Sequence, residues 1–239
     1  MKAIVLAGGR GSRLAPYTLA LPKPLVAIGN MPLIEIITRQ LIISGFTEII
    51  FSLGYLGELI KAYFETHSFF SKMINILFVQ EEFPMGTAGS ISLVPELDQT
   101  FMVINGDVLT TLDFNALIHY HRQSNAALTI AGHEKRIQMD LGVLELESHT
   151  NKVIGYIEKP EYIYPVSMGI YVYEPEILSF IPKGKYLDFP ELVLRLIKNQ
   201  QKVVCYQNKA LWLDIGKHED YAHAQVVFES RRSDFRLWE

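Results

Sequence analysis

Ala3-Ile4-Val5-Leu6-Ala7-Gly8-Gly9-Arg10-Gly11-Ser12-Arg13-Leu14-Ala15-Pro16 begins as a strand and ends as an anion site. The run from Ala3 to Leu6 is short, wholly apolar and reads as a buried parallel strand. It opens into glycines, a serine and two arginines. With no side chains on Gly8, Gly9 and Gly11, backbone N–H groups can close on phosphate oxygens, Arg10 and Arg13 add charge, and the helix expected next points its positive end inward. The first acidic residue of the chain is Glu35, whereas Lys2, Arg10, Arg13 and Lys23 all precede it. Neither the Walker A spacing nor the dinucleotide spacing Gly-x-Gly-x-x-Gly is present.

Working outward, Leu33, Ile36, Ile37, Gln40 and Leu41 fall at helical spacing and Gly45 stops that helix before Ile49-Ile50-Phe51-Ser52-Leu53. A second helix through residues 59–64 leads to Ile76-Leu77-Phe78-Val79, and a third, short one leads to Phe101-Met102-Val103-Ile104. Apolar strands alternating with helices predict an α/β fold: a doubly wound, Rossmann-like, mixed and mainly parallel sheet with ligands at the strands' carboxyl ends. The second half reads differently. A helix over 110–125 with Asp113 as its cap carries His119 and His121, both expected at the surface. Strands near 127–130, 142–146 and 153–157 follow, the last two as a hairpin through His149-Thr150-Asn151, so a small antiparallel portion is expected against one end of the sheet. A strand over 166–173, a helix near 189–198 and a helix beginning near Lys217 complete the chain, and beyond about Phe228 a charged tail reads as a frayed helix.

Composition narrows the function. The chain has 239 residues, 49% of them hydrophobic, and a formal charge of −4, which attracts neither nucleic acid nor an anionic membrane as a whole. No apolar run approaches the ~18 residues that span a bilayer, and Met1-Lys2 leads straight into the first strand, so a cytoplasmic protein is expected. The single cysteine, Cys205, excludes an internal disulfide and reads as a small buried side chain. Oligomeric state is left open, homo-oligomer included.

Three further stretches carry chemistry, the first two of them on the same rim as the first loop. Residues 80–90, with Gly86-Thr87-Ala88-Gly89, permit close backbone approach to a flat ring, or simply start a helix. Asn105-Gly106-Asp107 sets a carboxylate at the sheet edge, where it suits a turn or cap as well as an octahedral Mg²⁺. In Trp212-Leu213-Asp214-Ile215-Gly216 an acid between apolar residues needs a cation, or caps the following helix. Glu158-Lys159-Pro160 reads by itself as a solvated strand end, and Gly169 as a bulge in a core strand.

Together, Gly-Gly-x-Gly-Ser-Arg-Leu-x-Pro-x-Thr-x-x-x-Pro-Lys-Pro and these stretches resemble the sugar nucleotidylyltransferase (nucleoside-diphosphate-sugar pyrophosphorylase) family over roughly residues 1–225. The Gly-Thr-Ala form at 86–88 looks most like the GDP-mannose pyrophosphorylase branch, here in a short form without a left-handed β-helix domain. The resemblance implies the nucleotide-diphospho-sugar transferase fold as one domain, 1–239, with a nucleotide-binding half to about 125, a sugar-binding half over about 126–225 and a tail over 226–239. It implies a nucleoside triphosphate, GTP favoured, and a sugar 1-phosphate such as mannose or a heptose as partners, Mg²⁺ as cofactor, and pyrophosphate release. By the same resemblance Arg13, Lys23 and Asp107 are catalytic. Leu6, Ala7, Gly8, Gly9, Gly11, Ser12, Arg13, Gln80, Gly86 and Thr87 hold the nucleotide. Lys23, Gly142, Glu158, Lys159 and Gly169 hold the sugar phosphate, and Asp107 and Asp214 the metal. Uridylyl, thymidylyl or cytidylyl transfer, and a non-catalytic nucleotide-sugar-binding regulator, are the alternatives.

Overall fold

The computed structural model describes residues 1–237. Its elements are β1 (Lys2–Ala7), α1 (Leu33–Ile43), β2 (Glu48–Leu53), α2 (Gly57–Thr66), β3 (Asn75–Gln80), β4 (Phe101–Asn105), β5 (Val108–Thr110) and α3 (Phe114–Ser124) in the first half. The second half holds β6 (Leu128–Gln138), β7 (Val143–Leu146), β8 (Val153–Ile157), β9 (Glu161–Tyr173), α4 (Phe189–Lys198), β10 (Val203–Asn208), β11 (Trp212–Asp214) and α5 (His218–Ser230). One-turn helices at Ser12–Leu14, Lys23–Leu25 and Gly86–Gly89 punctuate the loops.

Seven strands form one sheet in the order β10-β6-β9-β4-β1-β2-β3. Only β9 runs against the rest, pairing antiparallel with both β4 and β6. The expected mainly parallel sheet is therefore present, but β6 and β9 are built into it, and the β7–β8 hairpin and the β5–β11 pair stand apart. β1 sends its crossovers both ways: Leu6 lies opposite Ser52 of β2 on one side and Asn105 of β4 on the other. A crevice opens where strand order reverses, at the carboxyl ends of β1 and β4.

Alternation along β1 feeds two cores. Ala3, Val5 and Ala7 pack with α1, α2 and α3 on one face, and Ile4 with Phe101, Tyr173 and Leu192 on the other. Ile4 and Val5, fully buried, contribute about 1.5–3 kcal/mol each. Asp113 caps α3 as expected, accepting from Asn115 N and Ala116 N.

Three expectations are corrected. His121 is buried, because Phe114, Leu117, Ile118 and His121 form one helical stripe facing the sheet, and only His119 is exposed. Its Nδ1 lies 2.7 Å from Thr129 Oγ1 and its Nε2 3.0 Å from Glu174 Oε1. Cys205 is exposed on β10, whose outer edge pairs with no other strand among the described residues. The tail is anchored rather than frayed: Phe228 and Phe235 are buried with ring centroids 5.1 Å apart, and Arg232 Nη1 donates to Asn30 Oδ1 over 2.9 Å. The rest of the tail, 238–239, lies outside the described residues.

Candidate active site

The loop after β1 turns through Gly11, whose φ of +61° leads into the helix Ser12–Leu14, and Thr18 Oγ1 donates to the Gly11 carbonyl over 2.9 Å. The N–H groups of Gly9, Arg10 and Gly11 donate to no group among the described residues, which leaves them for an anion. Across from the loop, Gly106 N–H donates to Leu6 O over 2.8 Å and so fixes the Asn105-Gly106-Asp107 turn beside it.

Asp107 meets Lys23 there. The lysine sits in the helix Lys23–Leu25, largely buried, with Nζ 2.5 Å from Asp107 Oδ2. β11 pairs antiparallel with β5, Asp214 opposite Val108, and Ile215 N donates to Asp107 O over 3.2 Å. Backbone pairing thus carries the second acid to the first. Burial pushes the Asp214 carboxyl above its usual value, the Asp107 charge adds to that, and Lys23 and Arg13 pull it back. Two carboxylates and two cations therefore share one field at the switch point, and the acids are a pair of hard oxygen donors.

A cleft of about 520 Å³ runs from this group towards the far rim. Leu6, Ala7, Gly8, Gly9, Gly11, Ser12, Arg13, Lys23, Gly86, Thr87 and Asp107, all expected site residues, line it. Gln80 does not. Its side chain turns away to donate to Gly54 O and Glu81 O, and its neighbour Glu81 faces the cleft instead. Glu81 Oε2 accepts from Met85 N over 3.1 Å and Oε1 from Ser52 Oγ over 3.2 Å, and no cation pairs with it among the described residues. Burial pushes its carboxyl above the usual carboxylate value, partly offset by those two donors. Gly8 packs so closely that a β-carbon on it would lie 2.6 Å from Glu81 Oε1.

Tyr186 and Asp188 also line the cleft and were not singled out in the sequence. Ala88 N and Gly89 N donate to Leu187 O over 3.0 and 2.8 Å, and Leu187 N donates to Met85 O over 2.9 Å. Phe189 N donates to Thr87 Oγ1 and Tyr186 OH to Asp188 Oδ2, so the segment before α4 forms the wall opposite Gly8.

The acceptor side is looser. Gly169 (φ +75°) sits at the β9 bulge, where a β-carbon would lie 2.6 Å from Asn105 Nδ2, and Asn105 Oδ1 is buried without a hydrogen-bond partner. Gly142 lies beside Tyr156 OH, which donates to Glu158 Oε2 over 3.1 Å. Glu158 and Lys159 are exposed, and they, Gly142 and Gly169 do not line the cleft.

An α/β sheet with a donor-rich loop, two cations and two acids at its switch point is the framework of a protein that handles phosphorylated nucleotides. The chain belongs to the nucleotidyl transferase family, whose model, described as Nucleotidyl transferase, matches residues 2–231. It is 31% identical to a mannose-1-phosphate guanyltransferase of Yarrowia lipolytica, over 98% of this chain and 65% of that protein. It is also 31% identical to a UTP–glucose-1-phosphate uridylyltransferase of Synechocystis, over 94% of this chain and 62% of that one. The chain thus spans a little under two thirds of the curated relatives it matches. Among solved structures, HddC from Yersinia pseudotuberculosis, also solved complexed with GMP-PN, superimposes with a TM-score of 0.72 at 29% identity, covering 95% of this chain and 99% of that one.

Proposed function

We propose that the chain is a sugar-1-phosphate guanylyltransferase that joins GTP and a hexose or heptose 1-phosphate, releases pyrophosphate, and serves cytoplasmic nucleotide-sugar synthesis. The observation that carries this reading is the convergence of Lys23, Asp107 and Asp214 beside an open glycine loop. An acceptor phosphate oxygen attacks the α-phosphorus in line, a P–O bond forms to it, and the bond to the bridging oxygen of the leaving pyrophosphate breaks. No protein nucleophile is required, so the residues align and neutralise. The amides of Gly9 to Gly11 and Arg13 hold the leaving pyrophosphate. Lys23 lies between the α-phosphate and the acceptor phosphate, Glu158 accepts sugar hydroxyls and Lys159 meets the sugar phosphate. Asp107 and Asp214 fit Mg²⁺, which supplies charge neutralisation of the phosphates when bound, with the remaining ligands taken from phosphate and water.

Glu81 favours guanine. Its carboxylate accepts only, and guanine alone among the common bases offers two adjacent donors, N1–H and N2–H₂, on one edge. Uracil presents one N–H between two carbonyls, which a carboxylate repels. Uridylyl transfer is the second reading, favoured by the uridylyltransferase relative. Pyrophosphate release measured with each of four nucleoside triphosphates against mannose, glucose and heptose 1-phosphates separates them. Release with GTP above the other three bears out the proposal, UTP preference establishes the second reading, and no release with any pair sinks both.

A further inference from the structure

Glu81 is not the only carboxylate of the cleft without a cation. Asp188, at the start of α4, also lines it. Its Oδ1 accepts from Thr87 N over 3.3 Å and its Oδ2 from Tyr186 OH, and no ion pair reaches it among the described residues. Close packing fixes it in the wall. A β-carbon on Gly86 would lie 2.6 Å from Leu187 O and 2.7 Å from Asp188 Oδ1, and one on Gly89 would lie 2.5 Å from Lys185 O. Two bare positions thus let residues 185–188 lie directly against the one-turn helix Gly86–Gly89. The hydrogen bond to Asp188, first among the causes, pushes the Tyr186 phenol above its ordinary value, so it stays a donor at neutral pH.

A carboxylate accepts only, at about four sites. Thr87 N–H and Tyr186 O–H take one on each oxygen, which leaves one on each for a ligand in the cleft. Placement and chemistry together narrow that ligand. Phosphates belong where the open amides of Gly9 to Gly11 meet Arg13 and Lys23, and an unpaired negative charge repels them. The base edge belongs to Glu81. Apart from the N–H groups of that edge, the donors left on a ribonucleoside triphosphate are its two ribose hydroxyls. Ribose lies between base and phosphates, and Gly8 marks that middle, since it touches Glu81 on one side and leads into the open amides on the other. Asp188 stands on the wall across from Gly8.

We infer that Asp188 is a specificity-determining residue that accepts hydrogen bonds from the ribose 2′- and 3′-hydroxyls and so selects ribonucleotides over deoxyribonucleotides. The inference rests on reading the cleft as a nucleoside triphosphate site, but not on which base it takes. Two neighbouring hydroxyls, each able to donate, match the two oxygens of one carboxylate, and bonds to a charged acceptor are the strong ones. A carboxylate on a ribose hydroxyl is also how dinucleotide-binding folds hold their sugar. Removing the 2′-hydroxyl leaves one of the two free sites on Asp188 unfilled in a partly dry cleft, a loss of roughly 10–100-fold in affinity.

Calorimetric titration of the full chain with GTP and 2′-dGTP in Mg²⁺, with no sugar phosphate and hence no turnover, tests this. Wild type is expected to bind GTP roughly 10–100-fold more tightly than 2′-dGTP, and D188A to bind the two alike, at the wild-type affinity for 2′-dGTP. Wild type that binds both equally, or a D188A protein that loses affinity for both and keeps their ratio, overturns the inference. Should D188A misfold, D188N decides, because its amide oxygen can still accept from Thr87 N–H: a narrowed ratio supports the role and an unchanged one refutes it. UTP and 2′-dUTP are titrated in parallel. A gap between ribose and deoxyribose seen only with the uridine pair supports Asp188 and sinks the guanine reading, whereas tight binding of GTP without any gap sinks Asp188 alone. A chain that binds none of the four overturns both.

Discussion

Glu81→Gln gives the most incisive test of base recognition. A carboxylate offers about four acceptor sites. Met85 N–H and Ser52 Oγ–H each take one, on different oxygens, and leave one site per oxygen for a ligand in the cleft. In the variant, the amide oxygen must stay on Met85 N–H, because two donors cannot face each other, and the NH₂ turns to Ser52, whose hydroxyl can accept. The cleft then meets one acceptor and one donor where guanine brings two donors. One charge-assisted hydrogen bond is lost and one contact becomes repulsive, a change of about 2–3 kcal/mol, or roughly 30–150-fold in kcat/KM for GTP. UTP, whose edge alternates acceptor and donor, gains. The assay is pyrophosphate release with GTP and UTP at several concentrations, alongside thermal unfolding. Removing a half-buried charge that burial already disfavours should leave Tm unchanged or higher. A folded E81Q enzyme with an unaltered GTP-to-UTP ratio would refute the assignment. In wild type, GTP binding should weaken as pH falls through the raised carboxyl value, at a higher pH than an ordinary carboxylate would set.

Three other outcomes follow from the geometry. Asp107→Asn removes the partner of Lys23 and one of the two metal-donor candidates, and should lower kcat by about 10²–10³-fold with the far-UV spectrum intact, read by steady-state kinetics in Mg²⁺. Gly169→Ala places a β-carbon against Asn105 at positive φ, so a loss of about 1–3 kcal/mol in denaturant unfolding is expected, with a raised KM for the sugar phosphate and little change for GTP. The pKa of His121 is lowered chiefly by burial, against the opposing pull of Glu174, so the fold disfavours its charged form. The unfolded chain therefore binds the extra proton first, and stability should fall as pH drops below about 6.5. H121N should flatten that fall while leaving turnover at neutral pH unchanged, as followed by Tm across a pH series.

What the sequence revealed depends on how locally each feature is determined. The strand, glycine loop and Asp107 turn are backbone features written in consecutive residues, so the fold and the place where Lys23 and Asp107 meet were legible from them. Gln80 and Glu81 show the limit. At a strand end, neighbouring side chains point to opposite faces, and a one-residue difference in register decides which carboxyl or amide meets the ligand. Tyr186 and Asp188 had no local signal, because hydrogen bonds to Met85, Thr87, Ala88 and Gly89, about a hundred positions earlier, bring them to the cleft. The buried face of α3 was written in Phe114, Leu117 and Ile118, and His121 completes it at the next helical step. In the tail, charged neighbours masked Phe228 and Phe235, one heptad apart. The outer half of β6 was missed because Glu134-Lys135-Arg136 carries no apolar alternation, and that of β9 because Pro165 interrupts the run after Tyr162-Ile163-Tyr164.

The pairing of Leu6 with Asn105 has a consequence for how such a molecule can change. Lys23, Asp107 and Asp214 gather where β1, β4 and the short β5–β11 pair meet, and main-chain hydrogen bonds between β1 and β4 and between β5 and β11 set their spacing. Loosening them means opening the core itself. Gly142, Glu158 and Lys159, the proposed sugar contacts, ride on a projection that shares almost none of those bonds. Under the proposed function, reaction chemistry and acceptor preference are mechanically decoupled, so exchanging the hairpin alone should retarget the protein to a different sugar while the cluster of Lys23, Asp107 and Asp214 keeps its geometry.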